Sequence, residues 1–254
     1  MDDSVTDKIK KLADMIKKTS RTVFLTGAGF STESSISDYR SKGGIWGRFR
    51  PVTIDEFMAS REARIRYWQY KSDFYRQLQK ASPNIAHHVL ARLYKKGLLE
   101  CIITQNIDGL HQAAGLPDEA VIELHGSNLR AICTSCGSVV PIGEAHAMIE
   151  KGNPAPECGC GGYLKPDTIS FGQSLREEVL SEAFMKTTGA DLFVAAGSTL
   201  IVYPAAALPQ LAADNGAFTA VINLSETPFD ERCDLLINEK ISAVMGKLET
   251  ILFS

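Results

Sequence analysis

Two closely spaced cysteine pairs could bind a metal ion. CTSC holds Cys133 and Cys136, ECGCGG holds Cys158 and Cys160, and 21 residues separate the pairs. Four thiolates on two tight turns satisfy a tetrahedral zinc ion and leave no coordination position open, so the spacing predicts a structural zinc site. The second pair is C-x-C where zinc ribbons usually have C-x-x-C, and the neighbouring glycines would supply the backbone angles that a shorter turn needs.

A glycine-containing loop follows directly on an apolar run and could bind a phosphate group. After TVFLT the chain continues GAGFS, so Gly27 and Gly29 would let backbone amides approach a pyrophosphate. The dinucleotide fingerprint needs a third glycine, and an acidic residue about twenty positions further on, and the sequence has neither. An ordinary dehydrogenase is therefore disfavoured, and a tight turn without a ligand stays an alternative for this motif taken alone.

Polar clusters also follow other apolar runs. They are TQNIDGLH at 104–111, ELHGS at 123–127, KPDTISFG at 165–172, GSTLIVYPAA at 197–206 and VINLS at 221–225. Ligands of an open parallel sheet bind beyond the carboxyl ends of its strands, so we expect all of these clusters to meet in one crevice. His125 in ELHGS is the candidate general base because histidine titrates near neutral pH, and a buried structural histidine is the alternative.

The elements that position these groups follow from the apolar pattern. Runs rich in Val, Ile, Leu and Phe without strict alternation predict buried parallel strands at 22–27, 100–106, 191–197, 218–224 and 233–238. Helical spacing is seen at Val5, Ile9, Leu12 and Ile16 and at Ile85, Val89, Leu90 and Leu93, with further helices near 175–188, 204–214 and 240–252. The remaining cysteines lie beside strand-like runs and are predicted to pack as small hydrophobes: Cys101 and Cys233. The fold class predicted is α/β, a Rossmann-like doubly wound parallel sheet.

Two segments interrupt this alternation and predict a smaller inserted module. Residues 39–80 indicate a loop followed by one or two helices, and residues 127–165 hold the cysteine pairs. We therefore predict a Rossmann-like domain made of 1–38, 81–126 and 166–254. The helical insertion 39–80 and the zinc-binding module 127–165 would form the small domain.

Composition narrows the class of protein. The chain has 254 residues, 44% of them hydrophobic and 22% charged, which is typical of a soluble globular protein. The formal net charge of −3 disfavours tight non-specific binding of nucleic acid. No apolar stretch is long enough to span a bilayer, and the first residues lack the basic-then-apolar order of a signal peptide. We expect a cytoplasmic protein with no membrane partner.

Taken in order, the motifs resemble those of one known family. The segment GAGFSTESSISDYR, the polar clusters and the paired cysteines are similar to sirtuins, the NAD-dependent protein deacylases, from about residue 12 to about residue 250. The resemblance implies NAD as co-substrate, one structural zinc ion and an acetyl-lysine-containing protein or peptide as substrate. It also implies that the acyl-lysine amide oxygen attacks the nicotinamide ribose. The products are nicotinamide, deacylated lysine and 2′-O-acyl-ADP-ribose.

The same resemblance assigns roles to individual residues. His125 would activate a ribose hydroxyl, and Phe171 and Gly172 would pair with an extended substrate peptide. The residues that match NAD-binding positions are Gly27, Ala28, Gly29, Phe30, Ser31, Asp38, Tyr39, Arg40, Gln105, Asn106, Ile107, Asp108, Gly197, Ser198, Thr199, Asn223, Leu224, Ser225 and Ile241. The loop departs from the family pattern at three positions, where glycine, proline and phenylalanine are usual: Ser35, Ser37 and Tyr39.

The acyl group expected is acetyl. The family's branch that removes dicarboxylic acyl groups has a tyrosine and an arginine three positions apart, and the matching positions here are Trp68 and Lys71. Without that tyrosine and arginine, a preference for succinyl-lysine is not supported. Two alternatives of other classes stay open. One is a mono-ADP-ribosyltransferase or NAD glycohydrolase that uses the same site, and the other is a zinc-ribbon nucleic-acid-binding module.

Overall fold

The computed structural model describes residues 3–36 and 50–253. The strands of these ranges are β1 (Thr22–Thr26), β2 (Cys101–Thr104), β3 (Val121–Glu123), β4 (Gly126–Cys133), β5 (Val139–Pro141), β6 (Leu164–Thr168), β7 (Leu192–Ala196), β8 (Phe218–Ile222) and β9 (Leu235–Ile237). The α-helices are α1 (Asp3–Lys18), α2 (Ile54–Ala59), α3 (Arg61–Leu78), α4 (Ile85–Lys95), α5 (Leu110–Ala113), α6 (Ile142–Glu150), α7 (Glu177–Thr188), α8 (Leu208–Asp214) and α9 (Ile241–Phe253).

Six strands form a parallel sheet in the order β3-β2-β1-β7-β8-β9. The chain starts in the middle of the sheet, builds one half outward and then returns to build the other half from β7. This is the doubly wound order with its topological switch point between β1 and β7, where such folds bind their ligands. The predicted α/β fold class is confirmed.

The sheet is buried on both faces, as its continuous apolar strands require. Phe24 on β1 enters one core with residues of α1, α4 and α9, whereas its neighbours Val23 and Leu25 enter a second core beneath α7 and α8. The helical spacing is also confirmed for α1, which buries Ile9, Leu12 and Ile16. On α4, Val89, Leu90 and Leu93 are buried, but Ile85 in the first turn is 40% exposed.

The small module combines an antiparallel sheet, in the order β5-β4-β6, with the helices α2, α3 and α6. Its core packs Trp68 of α3 against Ala131, Ile142, Ala145 and other residues of the sheet and α6. The Trp68 indole donates a hydrogen bond to the Leu164 carbonyl over 3.1 Å, which fixes α3 to β6.

The prediction that residues 165–172 follow a strand of the parallel sheet is wrong. Residues 164–168 are β6, which runs antiparallel to β4 in the small module. Every residue of this strand is buried although three of them are Lys165, Pro166 and Asp167, so the apolar pattern does not identify it. The predicted domain border between residues 165 and 166 falls inside this strand, and the domain limits stay a prediction. Over the two described ranges, no helix is both long and apolar enough to cross a bilayer.

Candidate active site

A cavity of about 1140 Å³ opens where the parallel strands end, between the sheet and the small module. Loops that follow β1, β2, β3, β7 and β8 all contribute to its wall, and the segment after β6 closes the opposite side. The structure therefore brings most of the predicted site residues together. Those that line the cavity are Ala28, Gly29, Gln105, Asn106, Ile107, His125, Phe171, Gly172, Gly197, Ser198, Thr199, Asn223, Leu224, Ser225 and Ile241.

Four other predicted residues pack behind the wall of this cavity: Gly27, Phe30, Ser31 and Asp108. The Phe30 ring is 1% exposed and contacts the rings of His87 and His111 at centroid distances of 5.0 and 5.4 Å. The remaining three predicted positions, Asp38, Tyr39 and Arg40, lie outside the described residues. The individual roles in NAD binding stay predictions.

The glycines of GAGFS allow two loops to approach each other closely. A Cβ atom on Gly27 would lie 2.7 Å from the Gly197 carbonyl oxygen, and one on Gly197 would lie 2.5 Å from the Phe30 nitrogen. The Gly29 amide donates to the Gly197 carbonyl over 2.9 Å, and the Gly27 amide donates to the Ala196 carbonyl over 3.1 Å. These two amides are thus used inside the protein. The amide of Ala28, at the start of a short 3₁₀ turn, is the donor of this loop that lines the cavity without such a bond among the described residues.

A hydrogen-bonded network joins the loop after β1 to the loop after β2. The Asn106 side-chain amide donates to the Gly27 carbonyl over 3.0 Å and to the Ser31 hydroxyl oxygen over 3.1 Å. The Ser31 hydroxyl donates to the Asp108 carboxylate over 2.7 Å, and the Leu110 amide donates to its other oxygen over 2.9 Å. Burial raises the pKa of Asp108 by more than the two hydrogen bonds donated to it lower it, so the pKa is raised overall. This carboxylate therefore orders the two loops from beneath the cavity.

His125 is held as a neutral base. Its Nδ1 lies 3.0 Å from the Gln105 carbonyl oxygen. Because a carbonyl only accepts, Nδ1 carries the proton and Nε2 keeps a lone pair. Burial lowers the pKa of His125 by more than the bond to Gln105 raises it, so the pKa lies below that of a free histidine. The ring is therefore neutral near pH 7, which is the state that a general base requires.

Two further contacts order the part of the cavity beside β7 and β8. The Gln105 side-chain amide donates to the Ser198 hydroxyl oxygen over 2.8 Å, so the loops after β2 and β7 are joined across the switch point. At the far end, the Asn223 side-chain amide donates to the Ser225 carbonyl over 2.8 Å and shapes the loop after β8. Hydroxyls and backbone groups on these loops are suited to phosphate and ribose oxygens.

The segment after β6 lies opposite the sheet and pairs with the small module. The Ile54 amide donates to the Phe171 carbonyl over 3.0 Å, in a parallel bridge between Thr53 and Phe171. The Ile169 amide donates to the His125 carbonyl over 3.0 Å, so this extended segment is fixed to the residue that carries the base. The Phe171 side chain is 49% exposed at the cavity.

The cavity also contains residues that the sequence motifs do not assign to the site. Lys71 and Tyr70 of α3 line it together with Thr168 and Ser170. Lys71 is one of the two positions compared with the dicarboxylic branch, whereas Trp68, the other, packs in the core of the small module. The signal in the sequence is weak, because a lysine in a charged amphipathic helix is usually exposed to solvent.

The four paired cysteines form one cluster. Their sulfur atoms all lie within 4.8 Å of one another, with 3.5 Å between Cys133 and Cys160 and 3.8 Å between Cys136 and Cys158. A tetrahedral zinc ion with Zn–S bonds of about 2.3 Å places its sulfur ligands about 3.8 Å apart. The residues present therefore fit a closed, structural zinc site, as predicted. It lies at the end of β4 and in the turns that precede β5 and β6.

The class defined by this fold and cavity is a nucleotide-binding α/β enzyme, and a neutral histidine, His125, lies in its cavity. The family model described as the Sir2 family matches residues 27–204. An NAD-dependent protein deacetylase of Thermodesulfovibrio yellowstonii is 40% identical over 255 residues, which cover 100% of this chain and 99% of the relative. One of Rhodopseudomonas palustris is 41% identical, with 96% of each chain covered. The chain belongs to the Sir2 family.

Solved structures of the same family share the fold. A structure described as Sir2 with a p53 peptide and NAD⁺ has a TM-score of 0.85 and 34% identity, and covers 95% of this chain and 97% of that one. A Sir2 structure bound to a propionylated peptide has a TM-score of 0.86 and 34% identity, with 96% and 98% of the chains covered.

Proposed function

We propose that this protein is an NAD-dependent protein lysine deacetylase with NAD as its co-substrate. The observation that carries the proposal is the neutral His125 in a cavity that also holds the loops of a dinucleotide site. Relatives about 40% identical over the whole chain have the same activity in their names. The alternative of a mono-ADP-ribosyltransferase or NAD glycohydrolase is not favoured by these relatives.

The reaction consumes acetyl-lysine, NAD⁺ and water, and yields lysine, nicotinamide and 2′-O-acetyl-ADP-ribose. The amide oxygen of the substrate forms a bond to the ribose C1′ atom while the bond from C1′ to nicotinamide breaks. His125 Nε2 then accepts the proton of the ribose 2′ hydroxyl, whose oxygen attacks the former amide carbon. Addition of water and rupture of the C–N bond release the lysine amine. An amide oxygen is a weak nucleophile, so orientation in a cavity shielded from water is the main contribution of the protein.

The peptide would bind along the segment after β6. Sir2 structures similar to this chain hold p53 or propionylated peptides. In this chain Phe171 and Gly172 line the cavity next to the strand-like contact with Thr53, so an extended peptide could add to this edge. The acyl-lysine would then enter the cavity beside Ile169, whose amide is bonded to the His125 carbonyl.

Structural zinc supplies folding free energy to the small module when it is bound. The module supports β6, and the segment after β6 forms the substrate side of the cavity. The cysteine cluster thus acts on catalysis through the position of that segment. No step of the reaction involves it.

The test is a deacetylation assay with a matched pair of histidine variants. A peptide with acetyl-lysine should lose its acetyl group only when NAD is supplied, with one nicotinamide released for each lysine. His125→Ala should lower kcat by about 10²- to 10⁴-fold while NAD binding is largely kept. His88→Ala, at an exposed histidine of α4, should leave turnover unchanged.

Three results would contradict the proposal. They are deacetylation without NAD, full activity of His125→Ala, and a product in which ADP-ribose is bound to protein or water and not to the acetyl group. Mass spectrometry of the product separates the last case.

We also infer a cytoplasmic location, because clustered zinc thiolates persist in a reducing compartment. Cell fractionation tests this location.

A further inference from the structure

A carboxylate lines the active-site cavity beside the start of α9. Glu33 lies in the short 3₁₀ turn Thr32–Ser34 of the loop after β1, is exposed and forms part of the cavity wall. Its Oε1 atom accepts a hydrogen bond from the Ser242 hydroxyl over 2.6 Å. Ser242 is the second residue of α9, and the positive end of a helix favours a carboxylate. This contact therefore fixes the Glu33 side chain at the cavity wall.

The second oxygen of this carboxylate is free to accept a hydrogen bond from a ligand. In the part of the chain that the structure describes, Glu33 Oε2 has no hydrogen-bond donor. Within the same ranges, no lysine or arginine lies at ion-pair distance from the carboxylate. The negative charge is thus open to a hydroxyl donor and repels a second anion.

The order of the sheet indicates which half of NAD lies near Glu33. Folds of this class bind the pyrophosphate at the switch point, which here lies between β1 and β7. His125, the base proposed to act on the nicotinamide ribose, follows β3 at one edge of the sheet, so the adenosine half would extend toward β8 and β9. Glu33, bonded to Ser242, belongs to this end of the cavity. The cavity residues that follow β8 and β9 are Asn223, Leu224, Ser225, Lys240, Ile241 and Ser242.

We propose that Glu33 accepts a hydrogen bond from the 2′ hydroxyl of the adenosine ribose and excludes a phosphate at that position, so that it selects NAD over NADP. The proposal rests on the proposed function and refines its co-substrate. In folds with the complete dinucleotide fingerprint, an acidic residue about twenty positions after the glycines has this task, and this chain lacks it. Glu33 supplies the carboxylate from the loop that carries the glycines.

Hydrogen bonding and charge favour the same nucleotide. A ribose hydroxyl donates to a carboxylate in a charge-assisted hydrogen bond. A phosphate group carries about −1.5 to −2 charges, so the carboxylate repels it. Lys240 lines the same end of the cavity and would attract such a phosphate. Glu33 is therefore the group that turns the preference toward the hydroxyl.

Other roles of Glu33 do not require its charge or its place. A base that acts on the nicotinamide ribose would lie beside His125, whereas Glu33 is bonded to the start of α9. The contact with the Ser242 hydroxyl needs no charge, because a neutral amide oxygen accepts the same hydrogen bond. A glutamine at position 33 would thus keep the contact with α9 and lose the selectivity.

The test measures the binding of three nucleotides by calorimetry in the absence of peptide, so it does not depend on turnover. They are NAD, NADP and the NAD analogue that carries 2′-deoxyadenosine. The unmodified protein should bind NAD at least about tenfold more tightly than either of the other two, because both lack the hydroxyl that donates to the carboxylate. Deacetylation with each nucleotide is measured in parallel, since the adenosine ribose takes no part in the reaction.

Variants locate the effect. Glu33→Gln keeps the shape of the side chain and removes its charge, and should reduce the ratio of NAD affinity to NADP affinity by at least about tenfold. Loss of the 2′ hydroxyl should also weaken binding less in this variant than in the unmodified protein. Glu231→Gln, the same change at an exposed glutamate between β8 and β9 and outside the cavity wall, should leave both ratios unchanged. Because each ratio is measured within one variant, partial loss of folded protein does not affect it.

The outcomes separate this inference from the proposed function. An unchanged ratio of NAD to NADP affinity in Glu33→Gln would overturn the inference and leave the deacetylase standing. Equal affinity of the unmodified protein for NAD and its 2′-deoxy analogue would overturn it as well. If the nucleotides bind with the expected selectivity but no acetyl group is removed, the deacetylase fails and the assignment of Glu33 holds. If neither NAD nor NADP binds, both fail together.

Discussion

At the scale of single residues, Gln105 determines which nitrogen of His125 is basic. Its carbonyl accepts from His125 Nδ1, and its side-chain amide donates to Ser198 on the loop after β7. One residue therefore sets the tautomer of His125 and also joins the loops after β2 and β7. A mutation of Gln105 would change both properties together, which makes it a poor probe of either.

Gly126 offers a cleaner test of the contact between β4 and β6. A side chain at this position would meet two penalties, the strained left-handed backbone and a steric clash, and Gly97 allows the first to be measured alone. Its φ angle is +72°, and a Cβ atom would lie 2.0 Å from the Asp167 carbonyl oxygen of β6. Gly97 has a φ angle of +70° with no atom within 4 Å of the added Cβ. We expect Gly97→Ala to lower the free energy of unfolding by about 1–2 kcal/mol, which is the cost of the left-handed backbone.

Gly126→Ala should lower the free energy of unfolding by about 1–3 kcal/mol more than Gly97→Ala does, because β4 and β6 must separate to admit the methyl group. Urea unfolding of both variants measures the difference. Equal losses would show that the pairing of β4 with β6 tolerates the methyl group without strain. Deacetylation should also fall in Gly126→Ala, since the displaced segment holds His125.

The sequence motifs identify the cavity residues that lie on the loops at the strand ends, but they do not identify those that come from the small module. Asn106, His125 and the glycine loops belong to short local patterns, and the sheet brings their strand ends together. Lys71 belongs to no such pattern. It enters the cavity only because α3 packs across β6 through Trp68, which is a contact between segments about 100 residues apart.

At the scale of elements, burial on both faces explains which strands the sequence predicts. β1, β2, β7, β8 and β9 are continuous apolar runs, and each was expected within one or two residues of its observed ends. The apolar pattern does not identify β6, because Lys165 and Asp167 make it polar, and residues 165–172 are expected from the sequence to follow a strand of the parallel sheet instead. Asp167 is buried by Arg130 of β4 and by Arg176, which are partners that no local pattern shows.

The turns of the small module depend on the cysteine cluster, which gives a prediction about metal removal. Cys136→Ser should abolish stoichiometric zinc and loosen β4, β5 and β6, because three thiolates hold the ion less well and the binding energy is folding energy. Zinc content by mass spectrometry and protease cleavage within 127–168 measure the two effects. Cys233→Ser, at a half-buried cysteine outside the cluster, should change neither of them. Normal zinc content in Cys136→Ser would remove Cys136 from the ligand set.

At the scale of the whole molecule, two buried histidines couple the fold to pH. His87 of α4 accepts the Asn84 amide through Nδ1 over 3.3 Å, and His111 Nε2 is bonded to the Thr26 hydroxyl over 2.9 Å. Among the described residues, His87 Nε2 and His111 Nδ1 have no hydrogen-bond partner. Both rings lie in the interior beside Phe30, where α4, α5 and β1 meet, so protonation of either ring would place a charge between these elements.

The free energy of unfolding should therefore fall as the pH decreases from 7 to 5. Burial lowers the pKa of His87 to about 4 and that of His111 well below 6.5. In this interval the unfolded chain binds protons at both positions and the folded protein does not, so acid favours unfolding. For His87 alone the loss is about 2 kcal/mol between pH 7 and pH 5. Urea unfolding at both pH values measures this. From pH 7 to pH 5, the free energy of unfolding of His87→Leu should fall by about 2 kcal/mol less than that of the unmodified protein. His88→Leu, at an exposed position, should show the same fall as the unmodified protein. An unchanged pH dependence in His87→Leu would show that His87 contributes nothing to it.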